Sequence, residues 1–68
     1  MKDETMYKIE IAENDEVVFI HNIPAEDDPF GTFENFKVTL EPGETVTLFL
    51  VDEKNGEKKL QSRHEYGS

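Results

Sequence analysis

Sixteen carboxylates and two histidines are the side chains of this 68-residue sequence best suited to chemistry, and their spacing decides what chemistry that is. His21 and His64 lie far apart and do not form the close pair of a histidine metal site. Glu26-Asp27-Asp28 offers three hard oxygen ligands in a row. A calcium loop instead spaces its acids at alternate positions around a glycine turn, so a solvated acidic loop is expected. Nucleophilic catalysis lacks a candidate: there is no cysteine, no G-x-S-x-G elbow, and the serines Ser62 and Ser68 sit at the chain end. Carboxylates in so small a domain rarely meet in a pocket deep enough to shift their pKa toward acid–base work. The chain is expected to be no enzyme, with no catalytic residue, no metal and no cofactor.

Phosphate recognition is equally unsupported. Gly31, Gly43, Gly56 and Gly67 are isolated, so no glycine-rich cradle exists. The formal net charge is −9 and is uneven. Residues 1–53 hold fourteen acids and three bases, while residues 54–68 set Lys54, Lys58, Lys59 and Arg63 against Glu57 and Glu65. Such a body repels nucleic acid and anionic membrane and attracts basic protein surfaces. Neither direct nucleic-acid binding nor membrane association is expected.

A docking role on a basic protein surface follows as the first functional expectation. Its sharpest form is a nucleic-acid mimic that inhibits a nucleic-acid-handling enzyme. Residues i and i+2 of a strand lie about 6.8 Å apart, twice the axial step per phosphate of one DNA strand, so an acidic ladder would imitate it. The acids here cluster instead in turns, at Glu13 to Glu16, Glu26 to Asp28 and Glu41 to Glu44. Mimicry then needs loops that converge in space. The expected partner-binding residues are Glu13, Asp15, Glu16, Glu26, Asp27 and Asp28, with Phe30 as an apolar anchor. The alternative is a structural or assembly subunit, a homodimer for instance, joined through sheet edges or through Phe49 and Val51.

The elements that position these groups read as strands. Phe36 to Val51, FKVTLEPGETVTLFLV, has the densest apolar periodicity. It predicts two strands around a Pro42-Gly43-Glu44 loop, with Leu40 opposite Val46, Val38 opposite Leu48 and Phe36 opposite Leu50. The rival is an arch joining two sheets. Leu48 to Val51 is apolar on both faces, so Phe49 and Val51 need a second cover from another sheet, a terminus or a second molecule.

Upstream, Tyr7, Ile9 and Ile11 alternate with polar residues as a first strand. A two-residue Asn14-Asp15 loop pairs Glu13 with Glu16, Ile11 with Val18 and Ile9 with Ile20. The run Val17 to Ile20 predicts a central strand covered on both faces, ended by Pro24. Ala25 to Asn35 is the longest irregular stretch, with Phe30 and Phe33 expected to plug one end of the core. Asn55-Gly56 predicts a last hairpin with Val51 facing Leu60, Phe49 facing Ser62 and Thr47 facing His64. Together these give an all-β fold. It is a small five-stranded antiparallel sheet built from hairpins and curled into a barrel or sandwich, with no helix longer than a turn. One domain spans 1–68, with 1–5 and about 61–68 frayed.

The phrase VTLEPGETVTLFL resembles strand-turn-strand phrases of immunoglobulin-like and cupredoxin-like domains. Those domains are longer, and their copper-ligand pattern is absent. Size and charge are similar to those of small acidic phage-encoded inhibitors, with no motif matched residue by residue. Met1 to Lys8 mixes charges without an apolar core, and the longest apolar runs are four residues, so a cytoplasmic location is expected.

Overall fold

In the computed structural model, which describes residues 5–52 and 54–67, the first hairpin is built from β1 (Met6–Glu13) and β2 (Glu16–Pro24). A 3-10 turn (Ala25–Asp27) leads into helix α1 (Pro29–Thr39), and the second hairpin follows as β3 (Glu44–Asp52) and β4 (Glu57–Glu65). The strands form one antiparallel sheet in the order β2-β1-β3-β4. The inner strands β1 and β3 therefore come from different hairpins, and α1 lies on one face of the sheet.

Cross-strand register fixes the faces. Tyr7, Ile9 and Ile11 of β1 stand opposite Leu50, Leu48 and Val46 of β3, and opposite Ile23, His21 and Phe19 of β2. These residues share the helix side. Ile9, Ile23, Val46 and Leu48 are buried there with Phe33 and Leu40, while Tyr7, Ile11 and Phe36 pack around them. The other side of the sheet carries Lys8, Glu10, Thr47, Phe49, Leu60 and Ile20, and among the described residues no helix covers it.

Phe36 to Leu40 is the main correction to the sequence reading: it forms no strand. Its first four residues belong to α1, and Leu40 ends the helix in an extended conformation. Phe36 and Leu40 are spaced by four as well as by two, so both periods fit them. Val38 separates the alternatives, and it is 83% exposed. The helix is set from its start. Pro29 occupies the first turn, where a missing N–H is harmless. Asp28 caps it, its Oδ1 accepting from Gly31 N–H at 3.1 Å and its carbonyl accepting from Thr32 N–H at 3.1 Å. A Cβ at Gly31 would collide with that capping carboxylate. Pro29, Phe33, Phe36 and Leu40 then form one apolar helical face.

Among the described residues the fold is thus a four-stranded sheet with one helix, neither five-stranded nor a closed barrel or sandwich. Pro42-Gly43 forms neither hairpin nor arch but the turn from helix to strand. Gly43 sits at φ +89° and brings its carbonyl within 3.1 Å of Asn14 N–H. Ala25 to Asn35 holds a 3-10 turn and most of a helix rather than an irregular loop. Phe33 is buried beneath the helix, whereas Phe30 is half exposed and meets Tyr7 edge-on at 5.6 Å.

Both hairpins are offset from their expected registers, the first by a bulge and the second by a wider loop whose offset a bulge then partly restores. Asn14 and Asp15, at φ 53° and 72°, make the two-residue turn, and Glu13 does pair with Glu16. Beyond Ala12–Val17 the register shifts, so Ile11 meets Phe19 and Ile9 meets His21, while Ile20 meets Glu10 on the open face. In the second hairpin Asp52 pairs with Glu57, Phe49 meets Leu60 and Val46 meets His64. The wider loop there closes with Gly56 N–H donating to Asp52 O at 2.8 Å. Gln61 to Glu65 belong to β4; the fraying expected of residues 1–4 and Ser68 lies outside the described residues.

Candidate functional site

Three segments distant in sequence meet at one end of the sheet. Glu13 of β1 is the Cα partner of both Glu16 and Glu44. Asn14 N–H bonds to Gly43 O, and Tyr66 N–H bonds to Glu44 O at 3.0 Å, drawing the end of β4 alongside. The Glu44 carboxylate folds back to accept from Glu41 N–H at 2.8 Å. Glu13, Asp15, Glu16, Glu41, Glu44 and Glu65 therefore crowd one rim. Arg63 tempers it, its guanidinium 3.0 Å from Glu65. An open depression between the first turn and Tyr66 lies within this rim, lined by Asp15, Gly43, Glu44, Arg63 and Glu65.

Of the expected partner-binding residues, the fold gathers Glu13, Asp15 and Glu16 here. Glu26, Asp27 and Asp28 lie past the other end of β2, about 26 Å away for a nine-residue strand. Asp28 there is engaged as the helix cap, and Phe30 follows it on the first turn of α1. The acids thus form two poles rather than one site. Glu41, Glu44 and Glu65 join the first pole although they were not among the expected residues. For Glu41 and Glu44 the signal in the sequence was their shared cluster, which becomes informative only once β1 is known to pair with β3; Glu65 arrives through the pairing of β4 with β3.

Between the poles runs β2, and the sequence reading misplaced it. It is an edge strand, paired with β1 alone, and not a central strand covered on both faces. Val17, Val18, Phe19 and Ile20 are 43–53% exposed, four consecutive apolar residues on a sheet edge. Phe19 joins His21 and Phe36 in an aromatic cluster on the helix side, with centroids 5.7–6.5 Å apart. The opposite edge, β4, is chemically different: Lys58, Lys59 and Arg63 line it. Lysines on an edge strand discourage pairing with another chain. From Val17 to Pro24 there is no charged residue at all.

Phe49 and Val51, the expected self-association residues, lie half-buried on the open face. Lys58 stretches over Phe49, its Nζ 4.4 Å from the ring centroid and 2.8 Å from Glu10 Oε2. Part of the cover comes from the chain itself.

Among the described residues no three histidine, aspartate or glutamate side chains converge as metal ligands, and no helix is long and apolar enough to cross a membrane. Comparison with protein-family models, with curated proteins and with solved structures finds no match to this chain.

Proposed function

We propose that this chain is a non-enzymatic acidic binding protein that docks on a basic protein surface. Its finer form is a nucleic-acid mimic that occupies the basic channel of a nucleic-acid-handling enzyme, in the manner of phage-type inhibitors. The observation that carries the reading is the crowding of six carboxylates from the first turn, the α1–β3 turn and the end of β4 on one rim. Loops that converge supply what the separate strands lack, a dense negative surface. Complementary charge of this kind speeds encounter and sets register more than it adds affinity.

Capture of basic proteins from lysate by the intact chain, repeated at rising salt, tests the reading. Expected is capture that weakens as the screening length contracts below about 10 Å, and that fails when Glu13, Asp15 and Glu16 are replaced by lysine. Salt-insensitive capture, or capture indifferent to the charge reversal, overturns it.

A second reading rests on the uncovered face. Leu60 and Ile20, 59% and 52% exposed, lie on the same side as Phe49 and Val51. A structural subunit would bury that side against a second copy. Sedimentation over a wide concentration range separates the readings: a monomer throughout removes the second.

A further inference from the structure

We propose that the outer edge of β2 is a docking site for an extended segment of a partner protein, apolar at its centre and basic at both ends, which adds to the sheet as a further strand. This deepens the electrostatic reading above and rests on it, by naming where the partner lies and in what form.

The argument starts from hydrogen bonding. An edge strand presents alternate N–H and C=O groups on the side away from its neighbour, and an incoming extended chain satisfies them. Proteins protect such edges with lysine, inward-pointing charge, proline or a bulge. On β4 three basic residues do so. On β2 the only such devices are the bulge at Val18 and the terminal Pro24, so Phe19 to Ile23 remain regular and uncharged. The strand also offers side-chain contacts on both faces. Ile20 is exposed on the open side, and Phe19 with His21 continues onto Phe36 on the helix side. An added strand places its alternate side chains against these two surfaces.

Charge selects the occupant. The edge is bracketed by Glu13, Asp15 and Glu16 at one end and by Glu26, Asp27 and Asp28 at the other. A second copy pairing edge to edge would bring acidic poles together whichever way it ran. Antiparallel pairing sets each pole against its opposite in the partner, and parallel pairing sets it against its twin. Two chains of net charge −9 thus oppose β2-to-β2 pairing. A segment with lysine or arginine at both ends meets an acidic pole in either direction. The two poles and the bare edge become one composite site, which also gives Glu26 and Asp27 a role that the distant rim does not.

The test uses the intact chain and synthetic peptides of about eleven residues, enough to span the strand and reach both poles. One has a valine–threonine centre with lysine and arginine at each end. A second carries glutamates at the ends, and a third keeps the basic ends but has proline at its centre and cannot pair. Fluorescence anisotropy reads binding, and amide hydrogen exchange reads protection at Phe19 to Ile23. The basic-ended peptide is expected to bind saturably, to protect the β2 amides, and to weaken at least about fivefold when salt is raised well above physiological strength. The other two peptides should not bind, and Ile20→Lys, which introduces a charge on an already exposed position, should abolish the protection.

Binding without β2 protection, or equal binding by the proline peptide, overturns edge addition while leaving the electrostatic reading intact. Equal protection by the glutamate-ended peptide overturns the charge selection. Protection that rises with protein concentration in the absence of peptide assigns the edge to a second copy and overturns the proposal. Loss of salt-sensitive capture from lysate, by contrast, defeats the electrostatic reading itself.

Discussion

The ammonium of Lys58 lies 4.4 Å from the centroid of the Phe49 ring. Glu10, two strands away and with only 13% of its side chain exposed, holds it there at 2.8 Å. One lysine thus covers an apolar ring with its stem and completes an ion pair with its tip. Lys58→Ala is expected to lower stability by about 1 kcal/mol, most of it from the uncovered ring, since a lysine left 44% exposed is well screened. Lys58→Met keeps the stem and should recover about half. Urea denaturation of both variants, with sedimentation to detect association through the exposed Phe49, checks the pair.

Phe33 and Val38 separate the helical from the strand reading by energy. Phe33 is 2% exposed, and Phe33→Ala should cost about 3–5 kcal/mol, enough to unfold much of the population of so small a domain. Val38 faces water from a helix, so Val38→Ala should raise stability by about 0.5 kcal/mol through helix propensity. A loss of stability at Val38 would mean that it is packed, as a strand residue would be. Thermal denaturation decides.

Asp28 and Gly31 act as a pair at the helix start. Asp28→Ala removes the acceptor for Gly31 N–H and leaves alanine at φ 56°, so a loss of about 1–2 kcal/mol is expected. Gly31→Ala drives a methyl into the same carboxylate and should displace the cap. The double variant should therefore lose less than the sum of the single losses. A double-mutant cycle by chemical denaturation measures the shortfall.

Asp15 sets stability against charge. It holds φ 72° in a turn whose second position favours glycine, so Asp15→Gly should stabilise the chain by about 0.5–1 kcal/mol. The same change removes one carboxylate from the acidic rim and should weaken salt-sensitive capture. Melting temperature and capture measured on the one variant should move in opposite directions.

How much of this was legible in the sequence varied with the range of the contacts involved. The first turn was readable because Asn14-Asp15 and the pairing of Glu13 with Glu16 are local. Val46 and Leu48 were rightly placed inward, because alternation survives in β3. The helix was hidden by its composition: Gly31, Thr32, Asn35, Val38 and Thr39 are weak helix formers, and Phe36 to Leu40 mimics a strand. The available signal was Asp28-Pro29 as a start, with Pro29, Phe33, Phe36 and Leu40 at helical spacing. The two bulges could not be read, because a single extra residue at Val18 leaves composition unchanged while moving Ile20 to the other face. The strand order was also out of reach. An apolar run such as Val17 to Ile20 usually marks a strand covered on both sides, and here it marks an edge.

The seam between β1 and β3 has a kinetic consequence. Each hairpin closes over a short loop, but Ile9 meets Leu48 only after the whole intervening chain has been gathered. Closure of that long loop is the expected slow step of assembly, because its entropy is lost before the buried contacts repay it. Truncations at Ile9 or Leu48 should therefore slow refolding, whereas changes in the loop at Gly56 should mainly alter unfolding. Stopped-flow refolding in denaturant would distinguish the two. Until the seam closes, the edge of β1 that will meet β3, and the matching edge of β3, lack their partners and are open to a wrong one.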